Sequence, residues 1–162
     1  MLQLLNAYSQ MNMPQVLAVY EESNLRFGAE VCAAGSRWEQ LRLGEENLRD
    51  YFRDFFRQKG ACLATWTGDG QVVSVARLEP LDDGLLLTGL ETLPAFRGRG
   101  YATMLLTETC RRFHRIYSHV RKDNLPSLAA HKKAGFTVTQ TFAKLLDGSV
   151  SHAYVTLVSA PD

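Results

Sequence analysis

The apolar positions of this chain change their period as the chain proceeds. Residues 2–6 read as a short strand, and over residues 14–26 Val16, Leu17, Tyr20 and Leu25 recur near helical spacing. Asn12 and Pro14 mark the start of that helix. Residues 27–36 are small and punctuated by glycine. From Trp38 to Gln58, Leu41, Leu48, Tyr51, Phe52, Phe55 and Phe56 predict a second helical region, broken near Gly44 and placed to wall off a substrate cleft. The period then shortens. Residues 61–67, 71–78 and 85–93 are short apolar runs separated by Gly68-Asp69-Gly70 and Asp82-Asp83-Gly84, the pattern of a three-stranded antiparallel meander. A glycine-rich turn at residues 97–100 follows. Met104, Leu105, Thr109, Arg112 and Phe113 then alternate the faces of a helix through about His114. Residues 116–120 read as a strand, and residues 124–134 as a helix with Gly135 as its C-terminal cap. Residues 136–146 and 151–158 predict a closing hairpin about Asp147-Gly148.

No repeat or linker divides this pattern, so one domain over residues 1–162 is expected. At 46% hydrophobic content the chain builds a continuous core without metal or disulfide staples. The net charge of +1 excludes a global field that gathers nucleic acid or an anionic membrane, so any anion site is local. Cys32, Cys62 and Cys110 are far apart and form no CxxC pair, which argues against a zinc site or a disulfide framework. His114, His119 and His152 lack the spacing of metal ligands, and no metal is expected. With no long uncharged apolar run and no secretory signature at the N-terminus, the chain reads as soluble and cytoplasmic.

The segment Leu90-Glu91-Thr92-Leu93-Pro94-Ala95-Phe96-Arg97-Gly98-Arg99-Gly100-Tyr101-Ala102 carries the chemistry. It offers a strand end, a turn with two glycines and the first amides of a helix. Those amides lack intrahelical partners and sit at the positive end of the helix dipole, so a phosphate can accept several of them. Gly98 and Gly100 allow close backbone approach, and Arg97 and Arg99 add charge. A P-loop needs a closing Gly-Lys-Ser/Thr and the dinucleotide fingerprint a third glycine; neither is present. The run from Arg97 to Ala102 instead resembles the Gln/Arg-x-x-Gly-x-Gly/Ala signature of the GNAT N-acetyltransferase superfamily. A second block, with Asn124, Ser127, His131 and Gly135-Phe136, is similar to that family's Asn-x-x-Ala/Ser helix ending in Gly-Phe.

The resemblance implies a mixed α+β fold: a central, mostly antiparallel twisted sheet with a V-shaped splay, flanked by about four helices. It implies acetyl-CoA as cosubstrate, a pyrophosphate held by Arg97, Gly98, Arg99, Gly100, Tyr101 and Ala102, and a pantetheine arm beside Asn124 and Ser127. Leu93 would offer backbone groups to the pantetheine or the acetyl carbonyl. The acceptor is a primary amine of a small molecule or of a peptide or protein, attacked in a ternary complex; the family often dimerises, and the assembly is left open between a monomer and a homodimer paired through the closing hairpin. Transfer needs a neutral amine, and Glu91, two residues before Leu93 on the same face of the strand, is the candidate base; a solvated carboxylate is the alternative. At the place where many members carry a tyrosine acid this chain has His131, as in the phosphinothricin-type branch. A proton donor and a structural histidine are both open there. Tyr101 and Tyr154 are further candidates. Tyr51, Phe52, Phe55 and Phe56 read as core, with an acceptor-lining role as the alternative. A non-catalytic module that binds or senses CoA remains the competing function.

Overall fold

The computed structural model describes residues 1–159. In chain order its elements are β1 (Leu2–Leu5), α1 (Met13–Val19), α2 (Glu21–Val31), α3 (Arg37–Phe55), β2 (Cys62–Gly68), β3 (Gln71–Leu81), β4 (Gly84–Thr92), α4 (Tyr101–Cys110), β5 (Ile116–Arg121), α5 (Leu125–Lys133), β6 (Phe136–Gln140), β7 (Ala143–Lys144), β8 (Val150–Ser151) and β9 (Tyr154–Ser159). Seven strands form one sheet in the order β1-β2-β3-β4-β5-β9-β6, and β7 pairs β8 separately. Every pairing in the large sheet is antiparallel except β4 with β5. The fold is therefore the mixed α+β, mostly antiparallel architecture that the sequence predicts.

Two cores lie on opposite faces of this sheet. On one face α1 and α3 bury Val16, Val19, Phe52 and Phe55 against Leu63 and Val75. On the other, Leu105 and Leu106 of α4 pack with Ala64, Ala76, Leu87, Ile116 and Leu157. Alternation along β2, β3 and β4 sends successive side chains to the two cores, so their near-continuous apolar runs reflect burial on both sides.

The N-terminal helices differ from the sequence pattern in two places. The first helical stretch is two helices, because Tyr20 breaks it: at φ −90°, ψ 12° it closes α1 and opens α2 while its buried ring reaches down to the sheet. Helix α2 then runs to Val31, through residues that look like a loop, and α3 passes Gly44 without a break. Both glycines are contact points. A Cβ on Gly28 would stand 1.8 Å from the Gln40 carbonyl oxygen, and one on Gly44 2.0 Å from that of Asn24. The two helices cross backbone to backbone, which only residues without side chains permit. Ser36 and Glu39 close a reciprocal capping box at the start of α3.

The C-terminal hairpin is also more elaborate than the sequence suggests. β6 pairs with β9, with a register shift between Val138 and Gln140, and the segment between them folds back as the β7–β8 ribbon. β9 lies between β5 and β6, so the last described strand is internal and the edge is β6.

Candidate active site

The parallel pair β4–β5 is short. It joins Leu85, Leu86 and Leu87 to Ile116, Tyr117 and Ser118 and stops, although β4 continues to Thr92 and β5 to Arg121. Beyond that point the strands part and the sheet opens as a V. A bulge in β4 accompanies the opening. The β3–β4 register shifts between Val75 and Arg77, and Gly89 has φ +56°. Tyr20 donates its hydroxyl proton to the Gly89 carbonyl at 2.6 Å, fixing the bulge from the α1–α2 corner. Burial holds that phenol protonated well above its usual range, so it remains a donor at all physiological pH.

Past the opening, Leu93 donates its amide to the Val73 carbonyl at 2.9 Å and accepts from Phe96 at 2.9 Å. Leu93 thus has its N–H committed within the chain, so that amide does not point at an acetyl carbonyl, while its carbonyl keeps a second lone pair. Alternation along the strand turns the neighbouring Thr92 N–H toward the split instead.

Gly98 and Gly100 have φ of +75° and +82°, and Gly100 caps α4. A Cβ at either would meet nothing within 4 Å, so the space in front of this turn is open and the left-handed backbone is what requires glycine. The first bond of α4 runs from Met104 N to Gly100 O, which leaves the preceding amides of the turn facing that space. A cavity of about 790 Å³ lies there. Its walls are Glu22, Ser23 and Arg26 of α2, Leu90 to Thr92 of β4, the turn with Tyr101, Ala102 and Thr103, and Asn124, Ser127, Ala130 and Lys133 of the α5 region. An elongated, phosphorylated thioester fits this arrangement: open amides at one end, unpaired strand edge at the other.

The two arginines of the turn are engaged elsewhere. Arg97 grips Glu22 through both Nη atoms at 3.3 and 2.7 Å, and its Nε donates to the Thr92 carbonyl. It ties the turn to α2. Arg99 lies over the Phe96 ring, 5.0 Å from its centroid, and 4.0 Å from Asp69. Their charge reaches the cavity through space, and the direct contacts available there are backbone amides.

Glu91 stands on the same sheet face as Leu93, facing α2, where the Ser23 hydroxyl donates to its Oε1 in a short hydrogen bond. Burial raises its carboxyl above the ordinary range, opposed by that hydrogen bond and by the charges of Arg77 and Arg26. Asn124 caps α5, its Oδ1 accepting from Ser127 N at 3.2 Å. Both residues line the cavity.

His131 is 1% exposed and packs edge-on against Phe136. Its Nδ1 lies 2.8 Å from the Ser127 carbonyl, which only accepts, so Nδ1 carries the proton. Nε2 then accepts from the Ser118 hydroxyl at 2.9 Å. Burial lowers its pKa, with the Ser127 carbonyl opposing. The ring is therefore neutral with both nitrogens paired, behind the cavity wall rather than in it. Of the aromatic set on α3, Phe52 and Phe55 are core, whereas Tyr51 reaches the sheet and donates to Glu79 at 2.6 Å. Sequence reasoning missed Tyr20, Ser23 and Arg77. Only Arg77 leaves a signal, as a lone cation within the apolar run 72–78.

A sheet opened between two parallel strands, with glycine-turn amides at its mouth, defines an α+β fold of the acyltransferase class. Residues 18–136 match the Acetyltransferase (GNAT) family, and the chain belongs to it. No curated protein sequence matches it. Among solved structures it is similar to PaiA N-acetyltransferase from Thermoplasma acidophilum in complex with coenzyme A, with TM-score 0.63 and 12% identity over 99% of each chain. It is also similar to ribosomal-protein-alanine N-acetyltransferase from Brucella melitensis, with TM-score 0.64 and 20% identity over 98% of this chain and 99% of that one. The ribosomal-protein-S18-alanine N-acetyltransferase from Escherichia coli aligns with TM-score 0.59 and 14% identity over 98% and 93%.

Proposed function

We propose that this protein is an acetyl-CoA-dependent N-acetyltransferase acting on a primary amine by direct attack. The observation that carries the proposal is the placement of a partly buried carboxyl, Glu91, on the strand edge that opens in line with the Gly98–Gly100 turn. In this reading the amides at residues 98–103 hold the pyrophosphate and the unpaired edge of β4 holds the pantetheine arm as an added strand. The Thr92 N–H polarises the acetyl carbonyl.

The amine arrives as an ammonium from the α2 side. Glu91 removes one proton, the freed lone pair forms the N–C bond, and the C–S bond breaks to release CoA as its thiolate, which takes up the second proton lost by the nitrogen, while Glu91 returns its own proton to solvent. Burial raises the Glu91 pKa in the direction a base near neutral pH needs, and the Ser23 hydrogen bond and the charges of Arg77 and Arg26 oppose that rise. His131 acts in this scheme as a positioning residue. Its N–H is held by the Ser127 carbonyl, so it fixes α5 against Ser118 of β5 rather than donating to sulfur.

Calorimetric titration with acetyl-CoA, CoA and ATP, followed by a thiol-release screen over amines, tests the reading. Selective binding of CoA species with thiol release on an amine is the expected result. Binding without release from any amine favours a sensing module, and absence of CoA binding rejects both.

A further inference from the structure

The start of α2 is tied to the open edge of β4 at three points. Tyr20, which breaks the first helical stretch, donates to the Gly89 carbonyl at 2.6 Å. Ser23 lies three residues on, one turn further along the same side of the helix, and donates to Glu91 Oε1. Between them Glu22 holds both Nη atoms of Arg97, whose Nε donates to the Thr92 carbonyl at 3.0 Å. Residues 89, 91 and 92 of the edge are thus each fixed from one helical turn, and Ser23 is the member of that turn that touches the carboxyl.

Glu91 pairs with Val75 of β3 on one side, while on the other the ladder to β5 has already ended at Leu87. A glutamate side chain is rotamer-rich, so a free one on an open edge samples many orientations. Among the described residues Ser23 is the only hydrogen-bond donor that reaches this carboxylate. Oε2 accepts from none and keeps access to solvent. Ser23 and Glu91 both line the cavity of about 790 Å³, so the pair lies where donor and acceptor meet. The charged and titratable groups around it are Glu22 and Arg26 of α2, Arg77 of β3 and the Tyr20 phenol, with Lys133 on the α5 wall of the cavity. They act on the carboxylate through space, and the Ser23 hydroxyl alone fixes its direction.

We propose that Ser23 is the positioning residue of the base: its hydroxyl holds Oε1 of Glu91 so that Oε2 meets the amine. This rests on the acetyl-transfer reading above. The ammonium proton passes to Oε2, and Ser23 keeps its own proton throughout. The same bond is made to the charged form of the carboxyl and stabilises it over the acid, against the desolvation that favours the acid. The break of the first helical stretch at Tyr20 acquires a purpose in this arrangement, because it sets the first turn of α2 against the edge that carries the base.

The test compares Ser23→Ala and Ser23→Thr with wild type in thiol release from acetyl-CoA across pH, on an amine that the wild type turns over. Ser23→Ala should lower kcat roughly 10- to 100-fold, the range set by one hydrogen bond to a charged group, with acetyl-CoA affinity by calorimetry unchanged. The acid limb of kcat/KM should move to higher pH, because the lost bond favoured the carboxylate. Ser23→Thr keeps a hydroxyl on the same carbon and should recover most of both. In a Glu91→Gln background Ser23→Ala should cost no further turnover, since the group it positions is gone. Circular dichroism checks folding, and if Ser23→Ala is unstable, Ser23→Cys, with a weaker donor, carries the same readouts. A folded variant with wild-type kcat and an unmoved limb overturns the proposal, as does an equal loss with and without the Glu91 carboxyl. Wild-type controls separate the two proposals. Donor binding and thiol release in the wild type with an unmoved limb in the variants remove the role of Ser23 alone. Absence of donor binding, or of thiol release from every amine, removes the acetyl-transfer reading and the role of Ser23 with it.

Discussion

Glu91 combines two demands that conflict in an ordinary surface carboxylate. As a base it must be ionised near neutral pH, yet its burial favours the protonated form. Because its folded pKa is raised, its ionisation disfavours the fold. That cost is fully present above the folded pKa and disappears as pH falls below the unfolded carboxyl value. Two outcomes follow for Glu91→Gln. Turnover should fall by roughly 10²- to 10⁴-fold with acetyl-CoA affinity unchanged, since the amide has no proton affinity to offer. The variant should melt at or above the wild-type temperature at neutral pH, because the amide oxygen still accepts from Ser23 and no charge is buried. In the wild type, kcat/KM should decline as pH drops through the raised Glu91 value. A flat profile, or a variant with full turnover, would remove Glu91 from the chemistry. A variant that melts well below wild type at neutral pH would show that the carboxylate is a structural ion.

At the scale of elements, the α2–α3 crossing shows how far the periodicity carries and where it stops. The stripe through Leu48, Tyr51, Phe52 and Phe55 locates α3 and its buried face, and Asn12, Ser36 and Asn124 each sit where a helix starts. The strands of the meander were equally legible, because their turns carry Gly-Asp-Gly and Asp-Asp-Gly. Gly28 and Gly44 were not. In sequence a glycine that lets two backbones touch is the same letter as one that ends a helix, and only the partner helix distinguishes them. The distinction is measurable. On an open helix surface, Gly→Ala adds about 1 kcal/mol of helix propensity. Here the new methyl would meet the Asn24 carbonyl at 2.0 Å, backbone on both sides, with no side chain to move aside. Gly44→Ala should therefore lose about 1–3 kcal/mol or more in urea denaturation. A gain in stability would mean that the helices stand apart and that Gly44 is a weak point in α3 after all.

Considered as a whole molecule, the protein is two cores joined by a sheet that is continuous at one end of β4–β5 and open at the other. The first core holds α1 and α3, on which α2 packs, the second α4 and α5, and the cavity at the opening takes its walls from α2 on one side and from the α4 and α5 region on the other. No helix among the described residues is long and apolar enough to cross a membrane. The part of the site in the glycine turn was legible because its chemistry resides in backbone conformation that glycine spacing encodes. Arg77, Tyr20 and Ser23 come from β3 and the α1–α2 region, far from the turn in sequence, and only Arg77, a lone cation in an apolar run, leaves a local sign. The same division predicts how a donor acts on stability. A molecule lying from the Gly98–Gly100 turn along the β4 edge to α5 touches walls from both cores, so its binding energy opposes their separation. At a hundredfold excess over Kd, such a ligand stabilises the native state by about 2.7 kcal/mol. For a chain of this length that corresponds to roughly 5–10 °C in Tm. Acetyl-CoA and CoA should give shifts of this size by differential scanning fluorimetry, and Gly100→Val should abolish them, because valine disfavours φ +82° and displaces the amides at the mouth. A Gly100→Val protein that folds and keeps the full shift would place the phosphates away from this turn. A wild-type shift produced equally by ATP would mean that the site recognises a nucleotide and not the thioester arm.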